Sequence, residues 1–293
     1  MMDIADASSG KTHHDENFPV ASVLIAPHYR PPILAFYHFV RAADDISDNS
    51  ALSDDEKITL LDRLESDLLS PAPQEAVARR LADELRARRL DPQHARDLIT
   101  AFRRDVTQLR YRDWDDLIDY CRYSAMPVGR FVLDVHGEDA AVTWPANDAL
   151  CAALQIINHL QDCGKDYREI NRVYVPQDAL AAHGADIAML GAASAPAPLL
   201  ACIHALARRT QGLLAQARPF ADRIDNTRLA MEVGAIHNLA ETLTDGLVRR
   251  DPLSEKVHAS KAEFILGAAI GAGGALLRRL IRPTRRTATE GAR

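Results

Sequence analysis

The sequence predicts an all-α protein, and three observations support that prediction. Apolar residues recur at helical spacing from Pro32 onward, strong helix formers dominate the composition, and no alternation of apolar and polar residues lasts for the length of a strand. With 293 residues, of which 47% are hydrophobic and 26% charged, the chain is long enough to bury a full core. Because no repeat or long linker divides it, we expect one helical domain over residues 19–282, between a flexible N-terminal segment 1–18 and a basic tail 283–293.

The predicted helices follow one another with short interruptions. The first covers residues 36–49, and the second begins at Ser53, a serine N-cap followed by acidic residues, and ends before Pro71. Later helices are predicted at 74–89, 92–111, 114–136, 146–168, 196–223, 226–249 and 253–281. Turn signals separate them, at Asp91–Pro92, Gly137, Trp144–Pro145 and Asp251–Pro252. Residues 169–195, rich in Gly, Ala and Pro, are predicted to be irregular.

Charge and cysteine usage argue against several classes of function. The formal net charge of −6 offers no general basic field for nucleic acid, so no nucleic-acid partner is predicted. The four cysteines are far apart and lack the spacing of a zinc site or a disulfide framework, which indicates reduced core thiols. The first 18 residues carry acids where a signal peptide carries Lys or Arg, and they lack an apolar core, so a cytoplasmic location is expected.

The C-terminal apolar stretch raises two further possibilities. Residues 264–281 are interrupted by Arg278 and Arg279, which leaves about 14 apolar residues where ~20 are needed to cross a bilayer, so we predict that the stretch does not span. A basic helix end could contact the inner face of an anionic membrane peripherally, and a solvated tail is the alternative. The glycine-rich run 267–274 follows no predicted strand, so no NADPH site is predicted and close helix packing is favoured.

Two acidic stripes are the most unusual feature of the sequence. In the first, Asp44 and Asp48 lie one helical turn apart with Asp45 beside them, and Tyr37 and Arg41 extend the same face. In the second, the helical steps bring together four polar side chains on an otherwise apolar helix, namely Gln155, Asn158, Asp162 and Asp166. Like charges one turn apart destabilise a helix by about 0.2–0.5 kcal/mol, so something should compensate.

Magnesium is the compensating partner that we predict. Two helices that each carry an Asp-x-x-x-Asp turn can face each other and supply the hard oxygen ligands that Mg²⁺ prefers. Waters and phosphate oxygens would complete the coordination, because proteins seldom cage Mg²⁺ alone. The alternative is a solvated acidic surface in which Arg41 and Lys165 form ordinary ion pairs.

At these residues the chain resembles the squalene/phytoene synthase family. The segment 38–48, HFVRAADDISD, is similar to the first aspartate-rich motif of that family, and 155–176 is similar to the second, including Arg172, Tyr174 and Pro176. A third block, YCRYSAMPVGRFVL at 120–133, lies between them, and the resemblance covers about residues 13–280. It implies the isoprenoid synthase helical bundle with a central cavity, and a prenyl diphosphate substrate held through two or three Mg²⁺ ions.

Within the family, the opening HHDENFPV and the form Leu160–Asp162 are most similar to members that convert presqualene diphosphate and water to hydroxysqualene and diphosphate. Two departures from the general pattern favour that reaction: Gln161 stands where most members have Arg or Lys, and Met126–Pro127 where they have Ala-Gly. Head-to-head condensation of two prenyl diphosphates stays open as an alternative, and so does a non-catalytic helical partner subunit. The pathway implies functional coupling to a presqualene diphosphate synthase paralogue and a squalene-forming flavoprotein.

The resemblance also implies roles for single residues. The metal ligands would be Asp44, Asp45, Asp48, Asp162 and Asp166, and the residues at the diphosphate would be His14, Asn17, Arg41, Lys165, Arg172 and Tyr174. Tyr37 and Arg41 belong to the catalytic site by the same resemblance, and Tyr123 matches a phenol assigned to proton transfer and cation stabilisation. From their chemistry, we add the hypothesis that the amides of Gln155 and Asn158 hold the water that captures the rearranged cation.

Overall fold

Twelve α-helices build the part of the protein that the computed structural model describes, residues 24–281. They are α1 (Arg30–Asp48), α2 (Asp54–Leu68), α3 (Ala76–Arg88), α4 (Gln93–Thr107), α5 (Trp114–Ser124), α6 (Met126–His136), α7 (Ala140–Ile170), α8 (Gln177–Ala182), α9 (Ala197–Ala217), α10 (Phe220–Arg223), α11 (Thr227–Leu247) and α12 (Lys261–Ile281). Short 3₁₀ turns occupy Pro27–Tyr29 and Ile187–Gly191. The all-α prediction is confirmed.

Several predicted boundaries were wrong. The helix predicted over 196–223 is divided into α9 and α10, and the stretch 169–195 that was predicted to be irregular contains α8. Three further differences have a local reason. The helix expected over 114–136 breaks at Ala125, because Pro127 in the next turn has no N–H to continue the hydrogen bonding. Pro145 does not interrupt α7: it is the sixth residue of a 31-residue helix, and it removes a single backbone hydrogen bond near the helix start. The last helix begins at Lys261 rather than 253, because the Asp251 carboxylate accepts hydrogen bonds from Leu253 and Ser254 and closes a turn.

The two helices that carry the acidic stripes lie in the interior of the bundle. Helix α1 packs against α2, α3, α4 and α6, and α7 packs against α5, α6, α9 and α11. Each buries an apolar face; on α1, for example, the Phe36 ring stacks on Phe131 at 4.0 Å between centroids. Burial of those faces holds the polar ends of α1 and α7 in fixed positions relative to the core.

Glycines permit the closest helix contacts. A Cβ at Gly271 would overlap the backbone carbonyl of Gly234, so α11 and α12 touch through their backbones. A Cβ at Gly129 would overlap the Asn147 side chain, so α6 and α7 approach each other closely at that residue. The four cysteines are free thiols, and Cys121, Cys163 and Cys202 are buried.

Helix α12 contains the C-terminal apolar stretch. Within residues 24–281 it is the one helix that is long and apolar enough, over Ala262–Ile281, to cross a membrane by length and composition, with a mean hydropathy of 1.6. That the stretch does not span a membrane stays a prediction.

Candidate active site

Three carboxylates crowd the C-terminal end of α1. Arg41 contacts two of them, with one guanidinium nitrogen 2.8 Å from Asp44 and another 2.8 Å from Asp45. Asp45 is buried, whereas the side chains of Asp44 and Asp48 are 33% and 44% exposed. Because a helix C-terminus carries partial negative charge, each acid there costs roughly 0.3–1 kcal/mol. Helix stability therefore does not explain this cluster.

The second acidic stripe lies at the end of α7 and is followed by a tight reversal. Asn171 closes the helix in the left-handed conformation, with φ of 52°, which asparagine tolerates better than most residues. The chain then runs beside the α4–α5 connection, where the Val173 amide donates to the Leu109 carbonyl at 3.0 Å. This reversal sends the Arg172 and Tyr174 side chains back into the protein, where both are buried.

Arg172 joins the two acidic stripes. Its guanidinium donates to the Asp48 carboxylate of α1 at 3.2 Å, and its backbone amide donates to the Asp166 carbonyl of α7 at 3.1 Å. The carboxylates also influence one another, since Asp48 raises the pKa of both Asp44 and Asp166. The structure thus brings the two predicted motifs to one place.

The electrostatics of this place favour a cation. Partial desolvation by the surrounding protein, followed by the neighbouring Asp48 carboxylate, raises the pKa of Asp44 from 3.8 to about 7. Burial and Asp162 raise the pKa of Asp166 likewise to about 7. Among residues 24–281, no three acidic, His or Cys side chains form a ready-made metal cage. The carboxylate oxygens here outnumber the neighbouring cations, and they do not enclose a metal ion on all sides. Such a site fits Mg²⁺, which usually keeps water and substrate oxygens among its ligands.

A buried carboxylate on α4, Asp105, extends the site and was not predicted. The hydroxyls of Tyr120 and Tyr174 donate to its two oxygens at 3.0 and 3.1 Å, and Arg172 donates to its backbone carbonyl at 2.9 Å. Burial raises the pKa of Asp105 to about 6, against the lowering effect of Arg172. A sequence signal existed, because Asp105 continues the apolar stripe of Leu98 and Phe102 at helical spacing.

His159 is a second residue whose surroundings the sequence did not reveal. Its ring is buried and stacks on Tyr174 with centroids 3.4 Å apart. Burial, with a smaller effect of Arg172, lowers the His159 pKa to about 3, so the imidazole is neutral at physiological pH. Its Nε2 is buried without a hydrogen-bond partner.

The remaining predicted residues lie in several environments. Gln155 and Asn158, the first two residues of the second stripe, are half-buried on α7, and Lys165 is exposed beside Asp166. Tyr123 is half-buried on α5, with the Arg104 guanidinium 5.8 Å from its ring centroid. The other predicted positions follow: Tyr37 is half-buried on α1, and His14 and Asn17 lie outside the described residues.

Gln161, one of the departures from the family pattern, has a contact that the sequence did not predict. Its side-chain amide donates to the carbonyl of Val257, in the segment that connects α11 to α12. The side chain is buried, and its Oε1 lacks a partner. Gln161 therefore ties α7 to the C-terminal part of the bundle.

Comparison with known proteins gives one family. Residues 11–263 match the model of the squalene/phytoene synthase family. The chain is 54% identical to a hydroxysqualene synthase of Rhodopseudomonas palustris over 272 residues, which are 93% of this chain and 92% of that protein. It is 51% identical over 270 residues to a hydroxysqualene synthase of Zymomonas mobilis, 92% of this chain and 91% of that protein.

Solved structures agree with these matches. The crystal structure of squalene synthase HpnC from Alicyclobacillus acidocaldarius superposes with a TM-score of 0.71 at 32% identity, over 78% of this chain and 87% of that one. A dehydrosqualene synthase superposes with a TM-score of 0.76 at 21% identity, over 94% of this chain and 96% of the other, and supports the fold alone.

Proposed function

The chain belongs to the squalene/phytoene synthase family, and we propose that it converts presqualene diphosphate and water to hydroxysqualene and diphosphate. The observation that carries the proposal is the meeting of the two acidic stripes across Arg172. Relatives that share about half of the sequence bear the name of that activity. The C–O bond to diphosphate breaks with its electron pair on the leaving group, and water then captures the rearranged carbocation and loses a proton.

Departure of diphosphate needs a site that accepts concentrated negative charge. We propose that Asp44, Asp48, Asp162 and Asp166 hold Mg²⁺, which would act as a Lewis acid on the leaving oxygens. Asp45 differs from these, because it is buried against Arg41 and orients that guanidinium. Arg41, Arg172 and Lys165 are cations placed around the stripes, and we assign them hydrogen bonds to the diphosphate.

Metal binding should depend on pH with a defined sign. Because the pKa values of Asp44 and Asp166 are raised to about 7 from 3.8, these carboxyls stabilise the metal-free fold at low pH, and that contribution is lost between about pH 4 and 7. Mg²⁺ binds the ionised form, so its affinity should rise between about pH 6 and 8 by roughly tenfold for each of the two carboxyls that it contacts. We expect the Mg²⁺-induced increase in melting temperature to grow over that interval.

Calcium-free thermal melts at matched ionic strength, with and without Mg²⁺, measure this effect. The Asp44→Asn variant is the control, since one of the two titrating groups is then absent and the pH dependence should flatten. A Mg²⁺ response independent of pH in the unmodified chain would contradict the proposed ligands.

Capture of the cation by water requires a polar group near an otherwise apolar wall. Gln155 and Asn158 are half-buried amides on the stripe that leads to Asp162, and we propose that they hold this water. Replacing either with leucine should lower the hydroxysqualene fraction of the product by about fivefold, since each hydrogen bond to water contributes about 1 kcal/mol and its loss leaves an apolar surface. Mass-spectrometric product analysis with presqualene diphosphate checks this; an unchanged hydroxysqualene fraction in both variants would sink the water-holding role.

One experiment tests the reaction itself. Pure protein and Mg²⁺ are incubated with presqualene diphosphate and, separately, with farnesyl diphosphate. Hydroxysqualene from the first substrate alone is the expected result. A cyclopropyl or C30 product from farnesyl diphosphate would show head-to-head condensation instead, and no turnover of either would leave a non-catalytic subunit. Under the proposal, one enzyme must supply the cyclopropylcarbinyl diphosphate, which is the role of the presqualene diphosphate synthase paralogue. A reductase must consume the alcohol, which is the role of the flavoprotein.

A further inference from the structure

The outer face of α12 is the largest apolar surface on the described part of the protein. Among residues 24–281, ten large hydrophobic side chains are exposed, and six of them lie on this helix, each 57–75% exposed. They are Ile265, Leu266, Ile270, Leu277, Leu280 and Ile281. The other four lie apart from one another, after the end of α2, on α6 and near the two ends of α7, so α12 alone in the described part of the chain carries several of them on one helix.

The opposite face of α12 is bound to the protein. Gly271 touches the backbone of Gly234, and Ala275 is fully buried between the helices. The C-terminal end is held by polar contacts: Arg278 donates to the Asp222 carboxylate at 3.0 Å, and Arg279 donates to the Asp225 carbonyl at 2.5 Å. Helix α12 is therefore a docked helix with one free apolar side.

The distribution of charge along α12 indicates which kind of partner its exposed apolar face would bind. No charged residue occurs between Phe264 and Leu277, and five arginines with no acid follow in the next nine positions, 278–286. An uncharged apolar face that is followed in the sequence by these arginines, of which Arg278 and Arg279 also hold the helix to the protein, matches the boundary between the acyl chains and anionic headgroups of a bilayer. The same charges would repel one another if two parallel copies paired through this face.

We propose that the outer face of α12 rests on the surface of an anionic membrane and attaches the enzyme peripherally. The helix lies in the interface instead of spanning it, because spanning would take the Gly234–Gly271 contact and the Arg278–Asp222 ion pair apart. A lipid of thirty carbons, the product under the proposed function, has its natural reservoir in that membrane. On the cytoplasmic side, anionic lipid would supply the matching charge.

Vesicle flotation of the full-length chain tests the proposal without substrate, so its outcome is independent of the proposed reaction. The chain should float with vesicles of phosphatidylglycerol and phosphatidylcholine, float less at high salt, and be released by alkaline carbonate. Leu266→Gln combined with Ile270→Gln should lower the partition coefficient by at least about tenfold, because two large apolar contacts with lipid are lost. The matched control is Val128→Gln with Val142→Gln, two exposed apolar positions on α6 and α7, which should bind like the unmodified chain.

Four outcomes would overturn the proposal. Failure of the unmodified chain to float, or equal flotation of the α12 variant, removes the surface from consideration. Resistance to carbonate extraction would indicate a spanning helix. A dimer in light scattering that the α12 substitutions convert to a monomer, without vesicle binding, would assign the face to a second copy. Circular dichroism melts of both double variants ensure that any loss of flotation is not a loss of fold.

Discussion

Asp44→Asn should abolish most turnover while leaving the fold as stable as before or more stable. Asp44 shares Arg41 with Asp45, at 2.8 Å from each, so asparagine leaves Arg41 paired with Asp45. The substitution also removes one like charge from the negative end of α1, which favours the folded state. What is lost is a metal ligand at the leaving group, and we expect the rate of diphosphate release to fall by about 10²–10³-fold, or roughly 3–4 kcal/mol.

Single-turnover release of diphosphate from presqualene diphosphate, followed over a Mg²⁺ titration, measures the effect. Asp83→Asn is the matched control, because Asp83 is an exposed helical acid whose partner Arg86 is three residues away on α3. The control should keep its rate within a factor of about two, as expected for a surface pair. Turnover of the Asp44 variant within a few fold of the unmodified rate would remove Asp44 from the ligand set.

This separation of stability from activity explains why the sequence revealed the acidic stripes so clearly. Acids one turn apart at a helix C-terminus oppose helix formation, so Asp44, Asp48, Asp162 and Asp166 stand out against ordinary helix patterns. The helices themselves were predictable because the apolar stripes of α1, α2 and α7 repeat at 3.6 residues. Helix periodicity therefore predicted the helices, and the acidic residues were noticed because they disfavour those same helices.

Residues whose roles depend on tertiary contacts were not predictable in the same way. Gln161 was interpreted as a missing cation, but its contact with Val257 joins segments 96 residues apart. Nothing in the sequence around His159 distinguishes it from other helix residues. Its environment depends on the stacking of Tyr174, which the chain reversal at Asn171 brings back to α7. The helix break at Ala125 and the uninterrupted helix at Pro145 depend on the residue at which each helix begins. The spacing of apolar residues defines that position only to within a few residues.

Asp105→Leu should cost about 3–5 kcal/mol of unfolding free energy, the second large effect that we expect. The carboxylate receives hydrogen bonds from Tyr120 and Tyr174 and faces the Arg172 guanidinium, and all four side chains are buried. Leucine removes the carboxylate acceptor of both hydroxyls, which then have only each other as acceptor, at 3.4 Å, and it leaves a buried cation without its nearest interior counter-charge. Urea unfolding, read by tryptophan fluorescence, measures the loss, and Tyr120→Phe should cost only about 1 kcal/mol by comparison.

A double-mutant cycle separates the charge from the packing. If the buried Arg172 cation makes the loss of Asp105 costly, then Asp105→Leu with Arg172→Leu should be less destabilised than the sum of the two single variants, by about 1–3 kcal/mol. Additive losses would mean that Asp105 acts only through its phenol hydrogen bonds. Arg172 also contacts Asp48 at 3.2 Å. If the two substitutions are not additive, Asp105 therefore acts through Arg172 as a positioning residue for the diphosphate site. Asp105→Asn, which keeps the shape, should then lower kcat by at least about tenfold at unchanged fold.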